Sequence, residues 1–98
     1  MARYLLLALN GPTGPETEEA YNRWYDDIHL PDLLDLPGVT SARRYKLVKG
    51  NVPWPYVAAY DIETDDLPGL MDMMERQPRP FDPSFDRSNS AHILAIAV

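Results

Sequence analysis

The chain has 98 residues, enough for one domain (residues 1–98) and too few for two. Fifteen acidic against nine basic side chains leave a net charge of −6, which argues against a nucleic-acid partner. The absence of cysteine excludes a disulfide framework, a thiolate zinc site and a thiol nucleophile.

Residues 2–9 are an apolar run stopped by Asn10-Gly11-Pro12, the signature of a central strand buried on both faces. The run is too short for a signal peptide or for a spanning helix, which needs about 20 apolar residues. No membrane partner is therefore expected, and a cytoplasmic location follows by default. Residues 16–29 carry helical periodicity, with Tyr21, Trp24, Tyr25 and Ile28 on one stripe and three glutamates in the first turn. Pro15 opens this helix and Pro31 is expected to end it near His29 or Leu30, with one short turn over Asp32–Leu36. Residues 39–48 read as a long half-polar strand, Gly50-Asn51 as a turn and residues 56–63 as a third strand. A second helix is expected over 66–76, with Leu67, Leu70, Met71 and Met74 on its apolar side. Residues 77–89 are a proline-rich loop, and 91–98 form the last strand.

The order β-α-β-β-α-β predicts an α+β, ferredoxin-like fold: a four-stranded antiparallel sheet with two helices on one face. The first and last strands are apolar on both sides, and 45% of the chain is hydrophobic, so the other face would be greasy. A second copy packed sheet to sheet would cover it, which makes the protein an expected obligate homodimer.

The densest chemistry lies in Trp24-Tyr25-Asp26-Asp27-Ile28-His29-Leu30-Pro31-Asp32. Regular helical spacing would place Asn22, Asp26 and His29 on one face, with Tyr25 one turn before His29. At a helix C-terminus the dipole would raise the His29 pKa, and Asp26 or Asp32 would orient the ring as in a general acid or base. A capping histidine packed under Pro31 explains the same spacing equally well. His92 sits in an apolar strand, where a satisfied core histidine is the commoner outcome and a shared cavity with His29 the alternative. Arg43 and Arg44 are adjacent in a strand and point to opposite faces, so one faces the helices and needs an anionic partner, Asp26 or Asp27 among the choices. Tyr4, Tyr45, Tyr56 and Tyr60, with Trp54, suit either an aromatic pocket or ordinary strand packing. Neither histidine has metal-ligand spacing, and no phosphate loop or Ser-His-Asp order appears, so no metal, no nucleotide and no classical hydrolase chemistry are expected.

The run Tyr21-Asn22-Arg23-Trp24-Tyr25-Asp26-Asp27-Ile28-His29-Leu30-Pro31-Asp32, with Leu36-Pro37-Gly38-Val39 and Ser41-Ala42-Arg43-Arg44-Tyr45 after it, resembles the EthD-like family of the dimeric α/β-barrel superfamily. The resemblance implies an apolar cavity in each subunit that holds a hydrophobic, aromatic metabolite. It also implies cofactor-independent proton-transfer chemistry of lyase, cyclase or isomerase type, and its characteristic histidine falls on His29. In that frame His29 is the acid or base, Asp26 or Asp32 its orienting carboxylate, and Tyr60 or Tyr45 a donor to a developing oxyanion. Trp24, Tyr25, Arg43 and His92 complete the expected substrate site. A non-catalytic ligand-binding accessory of aromatic or ether degradation, and a cofactor-free monooxygenase, are the alternatives within the same superfamily.

Overall fold

The computed structural model describes residues 1–98. Strand β1 spans Ala2–Asn10, followed by a 3-10 turn over Pro15–Thr17 and helix α1 over Glu18–Trp24. The helix continues through a π-helical segment, Tyr25–His29, into α2, Leu30–Leu34. Strand β2 is Val39–Lys46, β3 is Tyr56–Thr64, α3 is Leu67–Arg76 and β4 is Ala91–Ile96. All strand pairs are antiparallel, in the order β2-β3-β1-β4. The predicted element order and α+β fold are thus the observed ones.

Alternation along the strands decides what is inside. Leu6, Ala8 and Asn10 of β1 and Tyr56, Ala58, Tyr60 and Ile62 of β3 lie under the helices and are buried. Tyr21, Trp24 and Tyr25 come down on them from the helix, so the core is unusually aromatic. The opposite parity, including Leu5, Leu7, Leu9, Val57, Ala59 and Ile93, forms a second face that no element of the chain covers. Only 18 of 98 residues are buried, which is the quantitative counterpart of that open face. The edge strand β4 is bare on both sides, so Leu94 and Ile96 are exposed although they share the helix-side parity.

Two departures from the predicted pattern shape the site. First, Pro31 does not end the helix. The Leu30 N–H bonds to the Tyr25 carbonyl five residues back, widening the turn where Pro31, lacking an N–H, would otherwise strain the ladder. Second, a bulge between Val39 and Ser41 shifts β2 by one residue. Alternation counted from buried Val39 would turn Arg43 inward. The bulge turns Ala42 and Arg44 inward instead and leaves Ser41, Arg43 and Tyr45 on the open face. Between α2 and β2, Gly38 takes φ +98°, and a Cβ there would stand 3.1 Å from the Glu63 carbonyl oxygen. No helix is long and apolar enough to cross a membrane.

Candidate functional site

The extra residue in the π turn puts His29 beneath Trp24 rather than beside Asp26. The imidazole stacks on the Trp24 indole at 4.8 Å between ring centres and 19° between planes. Tyr25 meets it edge-on at 5.1 Å, and Phe81 closes a third side at 5.0 Å. Phe85 extends the aromatic wall, touching Trp24, Tyr25 and Phe81. His29 is buried and its Nδ1 has no hydrogen-bond partner.

Burial decides the charge of this ring. It lowers the His29 pKa to about 4, with nearby Asp32 opposing the shift. The expected upward shift from a helix C-terminus does not occur, because the helix runs on to Leu34 and apolar rings replace the solvent around the imidazole. At neutral pH the ring is therefore uncharged, able to accept a proton or to donate a neutral hydrogen bond, but with no second proton to give as an imidazolium acid.

His29 lines a half-open cavity of about 530 Å³ formed where the segment 77–87 crosses α3 and the helix below it. Met74, Phe81 and Phe85 supply apolar wall, and Glu75, Arg79, Asp82 and Arg87 supply charge. Arg79 fastens this segment to the helix. Its guanidinium donates to both carboxylate oxygens of Asp32, at 3.0 and 2.8 Å, and its backbone N–H adds a contact of 3.2 Å. These bonds hold the Asp32 carboxyl below the usual carboxylate range. At its far end the segment is pinned to the β1–α1 loop, where Ser84 accepts from the Thr13 N–H and Asp86 donates to the Gly11 carbonyl.

A second polar cluster lies between helix and sheet. The Arg44 guanidinium sits 4.3 Å from the Tyr25 ring centre and about equally near Tyr21 and Tyr56, at 5.1 and 5.0 Å. It donates to Asp26 and Asn22, both at 2.9 Å, while its Nε stays without a partner. Asn10 joins two of the tyrosines, accepting from the Tyr21 hydroxyl at 2.5 Å and donating to the Tyr25 hydroxyl at 3.2 Å. Tyr60 is wholly buried and its hydroxyl is unpartnered; burial, with Tyr25 close by, pushes its pKa up.

The structure therefore brings together His29, Trp24, Tyr25 and Asp32. Asp26 is not the carboxylate for His29: it is taken by Arg44 on the other side of the helix. Tyr60 lies in the sheet-side cluster and does not line the cavity of His29. Arg43 and Tyr45 are displaced by the β2 bulge to the open sheet face, away from the imidazole. His92 is exposed on β4, so it is neither a core histidine nor a neighbour of His29. No three His, Asp or Glu side chains converge as metal ligands would. Phe81, Phe85, Arg79 and Arg87 were absent from the predicted site. Their signal was two phenylalanines inside a proline-rich loop, a placement that calls for burial against something. A second cleft, of about 510 Å³ at Leu5, Asp61 and Val98, includes Tyr4 and none of the other candidate residues.

No family model matches the chain. Core atranone cluster (CAC) protein 1 of Stachybotrys chlorohalonatus is 35% identical over 79 residues, which is 80% of this chain and 33% of that protein. The chain thus spans about a third of the length of the curated relative it matches. Among solved structures, a Dabb family protein with a ferredoxin-like fold from Mesorhizobium loti has TM-score 0.74 at 8% identity, covering 100% of this chain and 99% of the other. An EthD family protein from Bacillus halodurans has TM-score 0.58 at 13% identity over all of both chains. A dimeric ferredoxin-like protein of unknown function from Thermobifida fusca has TM-score 0.56 at 9% identity, covering 98% and 92%. At such identities these likenesses establish the ferredoxin-like fold shared with Dabb and EthD proteins.

Proposed function

We propose that the chain is an EthD-like, dimeric α/β-barrel enzyme that moves a proton on a hydrophobic, aromatic metabolite without a cofactor, in a lyase, cyclase or isomerase step. The observation that carries this reading is His29: a buried, neutral imidazole walled by Trp24, Tyr25, Phe81 and Phe85, at the edge of a cavity. Aromatic walls favour a flat ring by stacking and by burial of apolar area. A neutral imidazole accepts a proton from an acidic C–H or O–H of such a ring, and Asp32 stabilises the imidazolium that results. His29 accordingly starts as base rather than acid. A second copy over Leu5, Leu7, Leu9 and Ile93 supplies the missing half of the barrel; the dimeric Thermobifida fusca neighbour supports that assembly.

Deuterium uptake by 2-tetralone in D2O, followed by NMR, tests the chemistry without the native substrate, since its carbonyl-adjacent C–H is acidic. Wild-type protein should accelerate uptake, and His29→Ala should remove about 10²–10⁴-fold of that acceleration while remaining folded. Unchanged exchange in the folded variant contradicts the assignment. Binding of 2-tetralone with no exchange in wild type identifies the accessory, ligand-holding alternative. Oxygen consumption with a hydroquinone in place of 2-tetralone identifies the monooxygenase alternative.

A further inference from the structure

Five of the seven arginines pair with a carboxylate; Arg43 and Arg87 do not. Arg43 stands on the open sheet face, whereas Arg87 is at the rim of the His29 cavity. Its guanidinium lies 4.4 Å from the centre of the Phe81 ring, and Phe81 in turn contacts His29 at 5.0 Å. A guanidinium laid on a ring keeps its N–H edge directed outward in its own plane, free for a two-point contact with an anion. The backbone that carries Arg87 is also fixed, by the Arg87 N–H to the Phe85 carbonyl at 3.1 Å and the Asp86 N–H to the Gly11 carbonyl at 3.1 Å. Of the two competing carboxylates at the rim, one is engaged. Asp82 accepts from the N–H and hydroxyl of Ser84, at 3.0 and 2.5 Å, which leaves Glu75 uncommitted.

We infer that the cavity takes an aromatic ring bearing a carboxylate or phenolate, with the ring against Phe81 and the anion held by Arg87. This rests on the aromatic-site reading above and adds to it the charge of the ligand and the residue that selects it. In a protein of net charge −6, an anionic ligand needs a local cation of this kind.

Calorimetric titration of the full chain with 1-naphthoate and with neutral 1-naphthalenemethanol separates the claims. Wild type should bind naphthoate about tenfold more tightly than the alcohol. Arg87→Gln should abolish that preference while leaving the alcohol's affinity within about twofold, and Glu75→Gln should strengthen naphthoate binding. Arg43→Gln should change neither. Equal binding of both probes to wild type, or a preference that survives Arg87→Gln, overturns the role of Arg87 and leaves the aromatic site standing. Failure of both probes to bind overturns the aromatic site together with this inference.

Discussion

Replacing His29 with phenylalanine exchanges a buried titratable ring for an apolar one in a box of aromatic side chains, and its effect should depend on pH in a defined direction. The folded chain holds His29 near pKa 4 against 6.5 for a solvated imidazole, because protonation would bury a charge. Between those values the unfolded chain carries the proton and the folded one does not, so stability falls as pH drops from 6.5 towards 4. Above pH 6.5 both states are neutral and this contribution vanishes. The full loss, reached below pH 4, is roughly 3 kcal/mol, a large share of the total stability of a small domain. His29→Phe removes this contribution alone. Asp32 also destabilises the fold when it protonates, because Arg79 depresses its folded pKa, and Arg79 is present in both proteins. Urea unfolding followed by tryptophan fluorescence, at fixed protein concentration near pH 7 and near pH 4.5, gives the comparison. The variant should gain about 2–3 kcal/mol on wild type between the two conditions. Parallel pH dependences would mean that His29 is solvated or already charged in the folded protein, and would refute the burial argument.

Arg44→Met should cost about 2–4 kcal/mol, because it removes the bonds to Asp26 and Asn22 and the cation beneath three tyrosines. Arg44→Lys should recover less than half of this, since an ammonium cannot span both partners while lying flat on Tyr25; thermal unfolding of the two variants decides. Asp32→Asn or Arg79→Gln should leave the unfolding midpoint almost unchanged but speed amide hydrogen exchange within 77–87, because the pair fastens only that segment. Equal exchange rates in variant and wild type would show that Phe81, Phe85 and the backbone bonds of Ser84 and Asp86 hold the segment without the ion pair.

Most of the fold was legible because apolar periodicity and proline placement agree with it. Strands β1 and β3 and helix α3 fall where an apolar run, a strand-forming run and a helical apolar stripe put them. The site was less legible, for two one-residue reasons. The wide π turn lets the helix pass Pro31, rotating His29 away from Asn22 and Asp26 and under Trp24. The bulge in β2 exchanges Arg43 for Arg44 as the inward arginine. Each is a local insertion that leaves the hydrophobic pattern readable and changes which polar groups meet. The His29 pKa direction reversed for the same cause: a ring expected at a helix end is instead enclosed by aromatics from the loop after α3. Phe81 and Phe85 have no periodicity around them, so only their tertiary contacts reveal their place.

The measurement closest to the central claim is 15N NMR of the His29 imidazole at pH 7, free and with saturating 2-tetralone. A neutral ring in the free protein, with one nitrogen resonance moving on ligand addition, is the predicted result. A protonated ring, or nitrogens that ignore a bound ligand, would contradict it.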